Sequence, residues 1–265
     1  MSEELVLVER KGHYATLSLN RPNRRNALNP EMLEQLADVL DALRDEDVRC
    51  VLLRGVEEHA FSAGFDIGRI GQPGSRQHFS GDQPAEDPYR RPKEAINNFP
   101  YPVIAMIYGY CIGAGLEIAV NCDMRVAADN ARLGITPAKL GIVYDHSAIR
   151  MFIDLVGPAF TKELFCTGRL MDAQRAQIMG LVHDVVPQAD LKEYANTLAE
   201  ELACNAPLSV KASKYIVNRL AQNVPLTTEE QTSFEEMKRM AAASEDVKEG
   251  RAAFRERRRP RFVGR

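Results

Sequence analysis

The chain has 265 residues, a formal net charge of −3, 45% hydrophobic and 27% charged residues, which suits a soluble globular protein with one domain, or one domain and a helical appendage. The slightly acidic balance excludes nucleic acid as a partner by bulk charge, and no apolar run reaches the roughly 18 residues a membrane span needs. Met1-Ser2-Glu3-Glu4 lacks a signal-peptide pattern, and the five cysteines form no CxxC pair and no Cys/His ligand spacing, so free thiols in a reducing cytoplasm and no metal site are expected.

Residues 5–9 and 14–20 alternate as strands around a turn at Lys11-Gly12. Asn29 and Pro30 supply an N-cap and a first helical residue. The helix they open runs to about Leu43, with Leu33, Leu36, Leu40 and Leu43 on one face. A strand over 49–54 completes a ββαβ opening, and α/β order continues afterwards. Residues 71–91 hold Gly71, Pro73, Gly74, Gly81, Pro84 and Pro88 with few aliphatics, and read as a long loop, either a binding element or plain disorder. Next come a helix near 92–98, a strand at 103–107, a helix at 113–121 and a short strand at 124–127. From Ser147 onward the pattern is helical, broken by one strand-like piece at 181–186. Helices are expected near 158–167, 172–179, 190–205, 207–222, 227–243 and 244–257, and Thr227-Thr228-Glu229-Glu230 opens like a capping box.

Two segments carry chemistry. Phe61-Ser62-Ala63-Gly64-Phe65-Asp66 and Gly109-Tyr110-Cys111-Ile112-Gly113-Ala114-Gly115-Leu116-Glu117 each follow an apolar, strand-like run. Small residues there let bare backbone approach a ligand. Two backbone N–H groups aimed at one oxygen make an oxyanion hole, and the second segment runs into a helix start whose dipole favours negative charge. Such a pair would hold a thioester enolate. Glu117 is either a carboxylate satisfied by the helix dipole or an acid/base group. The segment before it favours the second reading, and semi-burial would raise its pKa. The basic run Arg255-Glu256-Arg257-Arg258-Arg259-Pro260-Arg261 is either a solvated tail or a site for an anionic group. Gly113-Ala114-Gly115 lacks the full dinucleotide fingerprint, and no metal, flavin or nicotinamide motif is present.

Taken in order, Leu19-Asn20-Arg21-Pro22 with Asn26-Ala27-Leu28, the two segments above, Cys122-Asp123, Leu140-Gly141, Thr167-Gly168-Arg169 and Gly180-Leu181-Val182 resemble the crotonase, or enoyl-CoA hydratase/isomerase, superfamily over nearly the whole chain. The resemblance implies an α/β fold: a crotonase-like spiral of ββα units over residues 1–200 bearing the acyl-CoA site, and a helical C-terminal trimerisation region over 201–265. It implies homo-trimers or hexamers and acyl-CoA thioester substrates, with coenzyme A entering as part of the substrate and no other cofactor. Phe65 and Ala114 match the oxyanion donors. Arg25, Ala27 and Leu28 match the CoA-binding edge, and Ala63, Gly64, Asp66, Ile67, Gly113 and Thr136 match positions lining the substrate. Phe254 and Arg257 match a C-terminal helix that closes over a neighbouring subunit's CoA.

One departure matters. Glu117 matches the first of the two glutamates that hydratases of this superfamily carry, but Pro137 stands where the second belongs. Tyr144 and Asp145 follow. Tyr144 matches the tyrosine of the methylmalonyl-CoA decarboxylase branch, and Asp145 matches a working aspartate of dienoyl-CoA isomerases, although it is equally a helix N-cap. The preferred reading is decarboxylation of a methylmalonyl-CoA-like thioester. It requires Glu117 to be protonated or turned away from the substrate carboxylate, since two ionised carboxylates repel. Enoyl-CoA hydration or isomerisation is the alternative, and a non-catalytic acyl-CoA scaffold the second.

Overall fold

The computed structural model describes residues 4–66, 89–140, 143–222, 224–256 and 258–265; most of the expected 71–91 loop lies outside them. Strands β1 (Val6–Lys11) and β2 (Tyr14–Leu19) form an antiparallel hairpin with Lys11 opposite Tyr14. Helix α1 (Pro30–Leu43) follows, then β3 (Cys50–Gly55), β4 (Ala60–Ser62), α2 (Arg90–Asn98), β5 (Val103–Ile107), β6 (Tyr110–Ile112), α3 (Ala114–Asn121), β7 (Met124–Ala128) and β8 (Arg132–Gly134). Helix α4 (His146–Thr167), β9 (Met171–Asp172), α5 (Ala173–Ile178), β10 (Asp184–Val186), α6 (Leu191–Cys204), α7 (Pro207–Ala221), α8 (Thr228–Ala243) and α9 (Glu245–Glu256) complete the chain.

The long strands build a six-stranded sheet in the order β1-β2-β3-β5-β7-β10, parallel from β2 onward. Its central strands are buried on both faces, as parallel strands usually are. Val51, Leu53, Val103, Ala105 and Ile107 point into the main core with α1. Cys50, Leu52, Ile104 and Met106 point the other way, against Leu191, Ala195, Ala199 and Ala203 of α6, whose helical spacing lets that helix lie close to the sheet.

The short strands form a second sheet, β4-β6-β8-β9, that the sequence reading did not foresee. Strands of two or three residues are too brief to show alternation, and all of β4 is buried. Each strand of the β3, β5, β7 series is followed by its short partner and then a helix. The molecule is therefore a repeated β–β–α unit with a helical C-terminal region. Caps fall where the residues suggest: Asn29 accepts the Met32 N–H at 3.0 Å, and Thr227 and Glu230 complete a capping box. Helix α2 begins at Arg90, inside the stretch read as loop. Helix α4 is broken at Gly157, whose φ of 74° is left-handed. Among the described residues no helix is long and apolar enough to cross a membrane.

Candidate functional site at the start of α3

The turn from β6 into α3 is built by glycines. Gly113, the N-cap of α3, has φ 55° and donates its N–H to the Gly134 carbonyl at 2.9 Å. Gly64 has φ 97°, and a side chain there would meet the Ile112 carbonyl oxygen at 2.9 Å. Only glycine allows that approach, and it brings the two Gly/Ala segments together: a Cβ on Gly64 would lie 3.7 Å from the Ala114 nitrogen. The first segment is fixed from the far side. Leu28 donates to the Gly64 carbonyl at 2.8 Å, Asp66 donates to the Leu28 carbonyl at 2.9 Å, and Ala63 donates to the Arg25 carbonyl at 2.9 Å. Ser62 Oγ accepts the Gly64 N–H at 3.1 Å. Ala114 is the first residue of α3, so its N–H has no acceptor within the helix.

Glu117 lies in the first turn of α3 and is 3% exposed. Its Oε1 is 2.5 Å from Nζ of Lys93, itself only 11% exposed. The sequence reading left Lys93 unnoticed. Its one signal was a charged residue a turn before Ile96 on the buried side of a short helix. The carboxylate is more deeply buried than the semi-burial expected of it, and an ammonium lies beside it. Lys93 also lies over the Tyr89 ring at 5.6 Å, and Tyr89 packs edge-on against Phe65 at 6.1 Å.

Tyr144 packs edge-on against Phe165 at 5.4 Å, and its hydroxyl would stand 3.5 Å from a Cβ on Gly113. Burial first, then the Glu117 charge, pushes the phenol above its ordinary range, so it remains a hydrogen-bond donor. Among the described residues the hydroxyl has no hydrogen-bond partner. Asp145 differs. Its side chain is 62% exposed, and it caps α4 by accepting the Ser147 N–H at 2.8 Å, which holds its carboxyl below the usual range. Pro137 is buried at the start of a 3-10 turn, with half-buried Thr136 before it.

Arg25 is exposed, left-handed at φ 50°, and its guanidinium lies 5.7 Å from the Tyr110 ring centre. Ala27 and Leu28 are buried, and Asp66 pairs with Arg21 at 2.9 Å. Ile67 and Arg257 lie outside the described residues, as does the side chain of Phe254. In the basic tail, Arg258 pairs with Glu249 and Glu256. A further residue absent from the sequence reading is Arg125. Buried to 2% exposure, it donates to the carbonyls of Ala119, Val120 and Cys122 at the end of α3 and to that of Leu181. A cation at a helix C-terminus offsets the dipole there.

The arrangement offers a donor-rich helix start, a carboxylate paired with an ammonium and a neutral phenol around one point. Comparisons with known proteins bear on the chain as a whole. The enoyl-CoA hydratase/isomerase family matches residues 9–265. The 2,3-dehydroadipyl-CoA hydratase of Escherichia coli K12 is 35% identical, and the methylmalonyl-CoA decarboxylase of the same organism is 31% identical, each covering 100% of both chains. A crystal structure described as an enoyl-CoA hydratase/carnithine racemase from Magnetospirillum magneticum superposes with a TM-score of 0.90 at 31% identity, over 100% of this chain and 97% of that one.

Proposed function

The chain belongs to the enoyl-CoA hydratase/isomerase family, and from that premise we propose that it forms a thioester enolate by decarboxylating a methylmalonyl-CoA-like substrate. The carrying observation is that, among the described residues, a phenol and no second carboxylate stands opposite Gly113, while Lys93 pairs with Glu117. An ammonium beside that carboxylate lessens the repulsion that otherwise counts against an anionic substrate.

In this reading the Phe65 and Ala114 N–H groups polarise the thioester carbonyl. The Tyr144 hydroxyl donates to the substrate carboxylate and holds it out of the carbonyl plane. The carbon–carbon bond breaks, its electron pair passes into the enolate, and carbon dioxide leaves. A water held by Glu117 then gives a proton to the α carbon, and the hydroxide left combines with the released carbon dioxide as bicarbonate. No strong base need remove a proton, which suits a site whose described residues hold one glutamate. Arg25, Ala27 and Leu28 bind the CoA portion.

Hydration of an enoyl-CoA is the second reading, favoured by the hydratase names among the relatives and by the buried Glu117 carboxylate in the first turn of α3. The two separate by mass spectrometry of parallel incubations with methylmalonyl-CoA and crotonyl-CoA. Propionyl-CoA from the first, with crotonyl-CoA untouched, supports the decarboxylase. Hydrated crotonyl-CoA with methylmalonyl-CoA intact overturns it.

A further inference from the structure

Two consecutive residues between β2 and α1 hold a backbone that most side chains resist. Arg25 and Asn26 have φ of 50° and 54°, and among the described residues they are the ones other than glycine in the left-handed region. Asparagine tolerates that region and arginine does so poorly. Such strain persists only where surrounding bonds over-determine it. Here Asn26 supplies them. It is 1% exposed, its Oδ1 accepts the Arg21 N–H at 3.1 Å, and its Nδ2 donates to the Ala60 carbonyl at 2.9 Å. Its own N–H donates to the Arg21 carbonyl at 2.9 Å and closes the turn. Gly55 leaves the room, since a Cβ there would collide with Asn26 Nδ2.

What the turn holds is the first Gly/Ala segment. Asn26 grips the Ala60 carbonyl at the start of β4. Arg25, the other left-handed residue, accepts the Ala63 N–H at 2.9 Å. Leu28 donates to the Gly64 carbonyl and accepts from the Asp66 N–H, and the Arg21 guanidinium donates to the Ala27 carbonyl at 2.6 Å and to the Asp66 carboxylate at 2.9 Å. Leu28 and Phe65 are thereby a parallel bridge pair, which turns the Phe65 N–H to the edge away from Leu28. The direction of that N–H follows from residues 21–28, and their shape is held through Asn26.

We infer that Asn26 is a positioning residue: acting through the turn at 25–26, it aims the Phe65 N–H at the substrate oxygen without itself touching substrate. The inference rests on the oxyanion-hole reading of the two Gly/Ala segments. A donor of that kind works only when it is held where the charge develops, and a displacement of about 1 Å can cost roughly a hundredfold in rate. Backbone that passes through Gly64 has little stiffness of its own, so its aim comes from the neighbouring chain.

The test is the NMR resonance of the thioester carbonyl of propionyl-CoA, labelled there with carbon-13 and bound at saturation to the full chain. Hydrogen bonds that polarise the carbonyl move this resonance downfield, whereas a change in stability or affinity alone leaves the bound position unaltered. Asn26→Gly adopts the left-handed backbone freely and deletes both side-chain bonds. It should lose most of the downfield shift, and turnover of whichever of methylmalonyl-CoA and crotonyl-CoA the unaltered protein consumes should fall roughly tenfold or more. Asn26→Asp, equal in size, keeps the acceptor for the Arg21 N–H but removes the donor to Ala60. It should lose part of the shift, and it gives the same reading should Asn26→Gly not fold. Thr227→Ala, which removes the α8 cap, lowers stability and should leave the shift whole. The full shift in either Asn26 variant, or an equal loss in Thr227→Ala, would overturn the inference and leave the oxyanion reading standing. No downfield shift in the unaltered protein would sink that reading, and the inference with it.

Discussion

At the scale of single residues, Glu117 and Tyr144 do different work in the proposed reaction. Glu117→Gln removes the group that holds the protonating water, so turnover should fall about a hundredfold or more while CoA thioesters still bind. Near-normal rates would remove Glu117 from the chemistry. Tyr144→Phe takes away only a donor. It should damage methylmalonyl-CoA decarboxylation far more than any crotonyl-CoA hydration, and equal small losses would return Tyr144 to a packing role against Phe165. The raised pKa of the phenol has a sign that can be checked. A folded pKa above the ordinary value keeps the hydroxyl protonated, so decarboxylation should show no alkaline limb from Tyr144 below about pH 10. Asp145 behaves as a cap: Asp145→Ala should cost about 1 kcal/mol of stability and leave the chemistry largely intact. A loss of turnover equal to that of Glu117→Gln would restore it as a working aspartate.

At the scale of elements, the approach of β4 to α3 is what lets the two Gly/Ala segments share one site. A Cβ on Gly115 would lie 2.6 Å from Ser62 Cβ and 3.0 Å from the Ser62 carbonyl oxygen. Gly115→Ala should therefore cost about 1–3 kcal/mol, read as a lower urea midpoint. Ser62→Gly in the same chain should recover only part, because the backbone contact persists. At the other end of α3, Arg125→Met leaves the helix carbonyls without their cation, and should cost about 2–3 kcal/mol. The helices and their caps were legible because Asn29-Pro30, the leucine spacing of α1 and Thr227 with Glu230 act locally. So were the glycines, because backbone that must come close leaves few other choices. The second sheet was not legible, since two- and three-residue strands have no periodicity. Nor was the Lys93–Glu117 pair, since it joins side chains on separate helices whose contact exists only after α2 and α3 pack.

At the scale of the whole molecule, one buried cation ties the C-terminal helices to the site. Lys214 on α7 donates to the carbonyls of Ile96 at 3.1 Å and Tyr101 at 3.0 Å, and to the Asp123 carboxylate at 2.7 Å. Ile96 belongs to α2, the helix that carries Lys93, and Asp123 also accepts the N–H of Val103 at the start of β5. The Lys214 side chain is 6% exposed and that of Asp123 20%, so neither charge can turn fully to water if its partner is lost. Breaking such a pair by removing one member costs about 3–5 kcal/mol, chiefly because the other stays buried and uncompensated. Lys214→Met should thus lower stability by that order. The loss should be uneven: hydrogen exchange should quicken in α7 and at the end of α2, while β2, β3 and β5, held by ladder bonds on both sides, keep their protection. Asp123→Asn added to Lys214→Met should recover part of the stability, because the amide oxygen can still accept the Val103 N–H without a charge. Uniform loss of protection would mean that α7 and the sheet unfold as one unit, and that Lys214 is only a contributor to global stability. A local loss would mean that the C-terminal helices hold α2 against α3, and with it the Lys93–Glu117 pair.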